Sequence, residues 1–186
     1  MIKSRLFFIS LFSLYLHFGH PAFVLAGDGE KSDKLDHSAP LQLHGEYLLE
    51  YLWVDVYRAE LFLPTDFHSD ALSPSVSKSL QLTYLYPLKT TDLIEAAWLT
   101  LERQHNKTKL DALRSEIDRL HSSFEPIKRE DRYRLNYRND SQTLTLLFNG
   151  REVFRSQNPE LAQVYLGIWL GEKGLSKELR SVLLGL

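Results

Sequence analysis

The stretch from Leu41 to Pro64, LQLHGEYLLEYLWVDVYRAELFLP, sets the strongest limit on what this chain can fold into. It is the longest run of strand-forming residues, broken by Gly45 and ended by Pro64. From Tyr47 onward two sets alternate with the two-residue period of a strand: Tyr47, Leu49, Tyr51, Trp53, Asp55 and Tyr57 on one side, Leu48, Glu50, Leu52, Val54, Val56 and Arg58 on the other. Neither set is cleanly polar, so these strands are expected to be covered on both faces for much of their length. Gly45 predicts a turn or bulge. Asp55 predicts a second turn, leaving Val56 to Leu63 as the next strand. The aromatic set Tyr47, Tyr51, Trp53 and Tyr57 fits two arrangements: a core layer against helices, or the wall of an apolar cleft whose few hydroxyls orient a ligand.

The remaining elements follow from period and punctuation. Pro64 to Ser77 has loop composition. Leu80, Leu82 and Tyr84 alternate in a strand that Pro87 ends. Thr90, Thr91 and Asp92 offer N-caps, with Asp92 and Glu95 at capping-box spacing, for a helix carrying Leu93, Ile94, Ala97, Trp98 and Leu101 on one face. After the polar break Asn106 to Lys109, residues Leu110, Leu113, Ile117, Leu120 and Phe124 predict a second amphipathic helix packed on a sheet. Tyr133 to Arg155 reads as a three-stranded meander whose second turn is Asn149-Gly150, the pair suited to the positive φ angles of a type I′ turn. Asn158-Pro159 opens a helix that stops at Gly171, and Ser176 caps a last helix ended by Gly185. Strands joined by tight turns and helices inserted in pairs place the chain in the α+β class, with a mainly antiparallel sheet.

Composition excludes whole classes of chemistry. No cysteine is present, which removes disulfides, thiol catalysis, iron-sulfur clusters and cysteine-ligated zinc. Of the seven histidines, the five beyond residue 26, His37, His44, His68, His105 and His121, form no metal-binding spacing, so no metal site is expected. No phosphate-cradling glycine loop or nucleophile elbow occurs, and no cofactor is expected. A net charge of -2 gives no phosphate-neutralising surface, and the cluster Arg129, Arg132, Arg134 and Arg138 is read as exposed meander rather than a nucleic-acid site.

The amino-terminal segment has the pattern of a cleaved signal peptide over residues 1–26. Lys3 and Arg5 precede the apolar run Leu6 to Leu16, and Val24-Leu25-Ala26 supplies the small residues before the cut. Residues 27–40 are polar and aperiodic and are read as a flexible lead-in, leaving 41–186 as one domain with no membrane span after cleavage.

Three blocks resemble the chalcone isomerase-like family, in particular its exported bacterial branch. They are Leu41-x-Leu43-x-Gly45 with Val56-Tyr57-x-Ala59-x-Leu61-x-Leu63-Pro64; Leu80-x-Leu82 through Pro87 to Asp92-Leu93; and Asn149-Gly150, Pro159-Glu160-Leu161-Ala162, Ile168 to Lys173 and Ser176 to Gly185. The resemblance implies an open-faced β-sandwich: a large antiparallel sheet covered by a helical layer, with a ligand cleft between. Plant enzymes of the family cyclise chalcones, and related non-catalytic members bind fatty acids. Both use an arginine near the start of the long strands. Its position falls at Leu49, the glycine two residues before it falls at Tyr47, and the family's active-site tyrosine falls near Leu93. A leucine cannot supply the charge-assisted hydrogen bonds of a guanidinium, each worth about 1.5–3 kcal/mol. No catalytic residue is therefore assigned. The expectation is a periplasmic, non-enzymatic protein that takes a small apolar or aromatic ligand at Tyr47, Leu49, Tyr51, Trp53 and Tyr57. The alternatives are an isomerase acting on a chalcone-like substrate and an envelope interaction protein without a pocket.

Overall fold

A computed structural model describes residues 40–67 and 70–186. The expected signal peptide and nearly all of the lead-in lie outside the described residues. Six strands form one sheet in sequence order: β1 (Leu41–Tyr51), β2 (Val54–Pro64), β3 (Lys78–Tyr84), β4 (Arg132–Arg138), β5 (Thr143–Phe148) and β6 (Arg151–Ser156). All neighbours are antiparallel. Between β3 and β4 the chain makes an excursion through α1 (Thr90–Gln104) and α2 (Lys107–His121); α3 (Pro159–Leu170) and α4 (Lys177–Leu184) follow β6. The sheet is antiparallel with four helices, as the α+β reading requires.

One face of the sheet carries the core. Ala59, Leu61, Leu80, Leu82, Leu135, Leu146 and Phe154 are buried on it, and the cross-strand register aligns Leu61, Leu80, Leu135, Leu146 and Phe154 in one row. The other face is polar, and here the expectation of two covered faces fails. Arg58, Glu60, Gln81, Arg134, Asn136 and Thr145 stand on it, exposed or half-buried. Its apolar Phe62 is screened by the Arg134 guanidinium, 5.0 Å from the ring centroid, and no second layer covers this face among the described residues. The long side chains cover the sheet themselves, which the alternation alone did not reveal.

The β1–β2 turn also differs from the expectation. It lies at Leu52-Trp53, with φ of 48° and 68°, not near Asp55. The register slips between Leu49 and Glu50 and again between Leu43 and Gly45. These irregularities keep Tyr47 and Leu49 facing Ala59 and Tyr57. The bulge expected at Gly45 is present, and so is a reason for the residue: a Cβ there would stand 2.6 Å from the Leu183 carbonyl oxygen of α4. The carboxy-terminal helix therefore packs backbone-on-backbone against the edge strand.

Most punctuation behaves as read. Asn149-Gly150 turns β5 into β6 with φ of 50° and 83°. Asn158 caps α3 by accepting from Glu160 and Leu161 N–H, and Ser176 caps α4 by accepting from Leu179 N–H. The polar break expected over Asn106 to Lys109 is instead a helix start: Asn106 caps α2 by accepting from Lys109 N–H, and the helix begins at Lys107. α1 is the exception. It starts at Thr90 with Lys89 at the N-cap and no side-chain cap, so Asp92 lies within the first turn rather than before it. Reciprocal backbone bonds between Leu88 and Ile127 pin the entry to the helix and set its start. The stripe Leu110, Leu113, Ile117 and Leu120 of α2 is buried, with α1 and α3 as its helical neighbours, and Glu116 ties the helix to Ser156 of β6.

Candidate ligand cavity between sheet and helices

The inner face meets the helices imperfectly at one place. A cavity of about 90 Å³ lies between β2 to β5 on one side and α1 and α3 on the other. Its wall includes Leu80, Leu82, Leu135 and Leu146 from the sheet, Leu93, Ala96 and Ala97 from α1, Ile168 and Trp169 from α3, and Phe124 and Leu175 from loops. Among the described residues no charged side chain lines it.

Four tyrosines supply its polarity: Tyr57 from β2, Tyr84 from β3, Tyr133 from β4 and Tyr165 from α3. Strand register brings the first three together. Tyr57 pairs directly with Tyr84, with ring centroids 5.6 Å apart, and Tyr84 stands 6.3 Å from Tyr133 in an edge contact. The Tyr57 hydroxyl accepts a bond from Trp169 Nε1 at 3.1 Å. The Tyr165 hydroxyl and His121 Nε2 are 3.0 Å apart, and the Tyr133 hydroxyl accepts from the Glu125 N–H at 2.7 Å. The Tyr84 side chain is 4% exposed; its hydroxyl makes no hydrogen bond among the described residues, but it is not shut away as His121 Nδ1 is. Burial raises all four phenol pKa values, that of Tyr133 to about 12. Burial also lowers that of His121 to about 4. At neutral pH the site thus offers neutral phenols in an apolar shell, which suits a ligand with an uncharged acceptor and opposes an unpaired carboxylate.

Of the five residues expected from sequence, only Tyr57 lines the cavity. Leu49 is half-buried on the inner face, across from Tyr57, but outside the wall. Tyr47 stands one pair further along, against Ala59, where burial and then the neighbouring Glu178 of α4 raise its pKa. Tyr51 and Trp53 are exposed, because the turn at Leu52-Trp53 carries them past the end of the sheet. The expected aromatic wall is thus divided by a turn. Leu93, near which the resemblance puts the family's tyrosine, does face the cavity. Sequence reasoning missed Tyr84, Tyr133, Tyr165 and Trp169 as one group. Alternation put Tyr84 and Tyr133 on inner faces, but nothing local places β3 beside β4.

Two other features prove structural. An open depression beside Glu116, Arg119, Arg155, Ser156 and Asn158 is satisfied internally: Glu116 accepts from Ser156 Oγ and from Asn158 Nδ2. Lys78 is buried at the far end of β3, donating to the Ser73 carbonyl at 2.8 Å, with its ammonium 4.7 Å from the Tyr137 ring centroid. Its pKa falls to about 8 through burial.

Comparison with curated protein sequences gave no match. Among solved structures, the chain is similar to a fatty-acid binding protein of Arabidopsis thaliana. The TM-score is 0.59 at 15% identity, over 77% of this chain and 86% of that one. That likeness supports the fold alone. The family model described as chalcone isomerase-like matches residues 31–185, nearly the whole chain. With the six-stranded open sheet and its helical layer in place, the chain belongs to the chalcone isomerase-like family.

Proposed function

We propose that this protein is a non-catalytic binder of a small apolar ligand with an uncharged hydrogen-bond acceptor, held in the cavity between sheet and helices. The observation that carries this is a cavity wall that is free of charge among the described residues and takes its polarity from tyrosine hydroxyls, that of Tyr84 making no hydrogen bond among them. A phenol O–H left unsatisfied in an apolar site is unfavourable by about 1–3 kcal/mol. A carbonyl or ether oxygen on a ligand would remove that penalty. The similar Arabidopsis protein binds fatty acids, which supports an apolar ligand. Leu49 at the family's arginine position argues that the carboxylate preference is lost here. We further propose that the protein is exported to the periplasm and that residues 1–26 are its removed signal peptide, on the pattern of Lys3, Arg5 and Val24-Leu25-Ala26.

The cavity of about 90 Å³ is below the several hundred Å³ that drug-sized ligands occupy. A longer ligand therefore displaces wall side chains, and the half-buried Leu93 and Trp169 on the helical side are the ones placed to move. The test is native mass spectrometry after incubation with a long-chain fatty acid, its methyl ester and the matching alcohol. The ester should be retained in preference to the acid, and Tyr84→Phe should weaken that retention roughly tenfold. Stoichiometric retention of the free carboxylate alone would overturn the proposal.

A further inference from the structure

The β1–β2 hairpin ends in four consecutive apolar residues, Tyr51, Leu52, Trp53 and Val54, all exposed. Leu52 is 72% and Trp53 93% solvent-accessible. Both hold positive φ, a conformation that β-hairpin turns normally assign to asparagine and glycine. The same sheet shows the ordinary solution at its β5–β6 turn, where Asn149 and Gly150 take φ of 50° and 83°. The chain thus places two large apolar side chains where they strain the backbone and meet water. Neither folding nor solubility explains that choice.

We propose that this tip docks the protein on a lipid bilayer, with Leu52 and Trp53 inserted at the interface. Three observations favour a bilayer over a protein surface. The tip is convex and narrow, so a rigid partner would need a matched pocket, whereas a fluid interface accommodates it. Tryptophan and tyrosine beside leucine suit the boundary between headgroups and acyl chains. The depth also matches. The pair Tyr51–Val54 and the turn beyond it span two residue steps, about 7 Å, within the 5–10 Å to which interfacial elements sink. Directly behind, Glu50 and Asp55 stand opposite one another and end the apolar cap abruptly. Two carboxylates in a cross-strand pair repel, and the ammonium groups of a zwitterionic headgroup layer would relieve them. The tip therefore prefers zwitterionic to anionic lipid.

The hairpin is free to reach. β2 last pairs with β3 at Tyr57–Tyr84, and among the described residues β1 pairs with no strand but β2, while α4 packs on it at Gly45, away from the tip. Tyr57 of the cavity wall lies three residues from Val54, so docking brings the cavity end of the sheet to the bilayer. The docking stands on the hairpin alone and does not depend on what the cavity binds.

The test uses the full chain with phosphatidylcholine vesicles carrying brominated acyl chains, read by tryptophan emission. Wild type should be quenched, and Trp53→Phe should lose that quenching, since the remaining Trp98 and Trp169 are half-buried on α1 and α3 and residues 1–26 contain no tryptophan. The double variant Leu52→Asn, Trp53→Gly should weaken vesicle binding roughly tenfold or more while its melting temperature rises through the relieved turn. Anionic phosphatidylglycerol vesicles should bind wild type more weakly. Emission equally quenched in wild type and Trp53→Phe, or vesicle binding unchanged in the double variant, would overturn the proposal. So would a dimer that the double variant abolishes in a chain that ignores vesicles, because the tip would then join two copies.

Discussion

His121 ends α2 with its ring set among Trp98, Phe124 and Tyr165, and Nε2 faces the Tyr165 hydroxyl. Nδ1 is buried without a partner among the described residues. Burial lowers the pKa to about 4, against an ordinary 6.5. The unfolded chain therefore takes up a proton near pH 6.5 that the folded ring refuses until about pH 4. The sign follows: this group's contribution is complete above pH 6.5 and is lost as the pH falls toward 4. A shift of this size is worth about 2–3 kcal/mol. His121→Gln keeps a partner for Tyr165 and removes the titration. Urea unfolding of wild type should lose about 2–3 kcal/mol more than the variant between pH 6.5 and 4. Equal losses would show that the ring does not titrate in that way. Tyr84 is the complementary case. Its partnerless hydroxyl predicts that Tyr84→Phe melts higher than wild type by a few degrees, on the order of 1 kcal/mol, even as ligand retention falls.

At the scale of elements, two contacts define positions that local sequence does not. α1 has Lys89 at its N-cap, with extended φ of -81° and ψ of 149° and no side-chain bond. A cation there also opposes the helix dipole. Lys89→Ser should stabilise the protein by about 1 kcal/mol, seen as a higher urea midpoint at unchanged slope. At the other end of the chain, Gly45→Ala drives a methyl against Leu183 backbone atoms at 2.6 and 2.7 Å. It should destabilise by about 1–3 kcal/mol and loosen α4, with faster amide exchange confined first to Lys177–Leu184. These two elements show what was legible. The Asn149-Gly150 turn and the caps Asn158 and Ser176 are local chemistry and were read correctly. The start of α1 was misplaced because a bridge from Leu88 to Ile127, across both helices of the excursion, sets it. Gly45 predicts a turn or bulge, and the register slip beside it is there. That a helix from the chain terminus presses on it is a long-range fact with no local signal.

The whole molecule is a sheet with one wet face and one dry face, and the candidate site is volume left over where the dry face meets α1 and α3. Such a volume is a difference between surfaces contributed by six strands and helices and two loops, so no single stretch encodes it. Alternation correctly grouped Leu80, Leu82 and Tyr84 on one face of β3. The site still could not be drawn, because it needed the Leu82–Tyr133 register and the placement of Tyr165 above it. The opening stretch was expected to form the wall and contributes only Tyr57. Its turn sends Tyr51 and Trp53 out to solvent instead. If the remaining space is kept for a ligand, filling it should strengthen the fold and remove the function. Ala97 is buried on α1 and faces the cavity, so Ala97→Leu places three more carbon groups into it without adding polarity. The expected result is a gain of about 0.5–2 kcal/mol in unfolding free energy together with loss of methyl-ester retention in native mass spectrometry. A structural void would behave differently: filling it would raise stability and leave retention intact, and the site would then have to lie elsewhere.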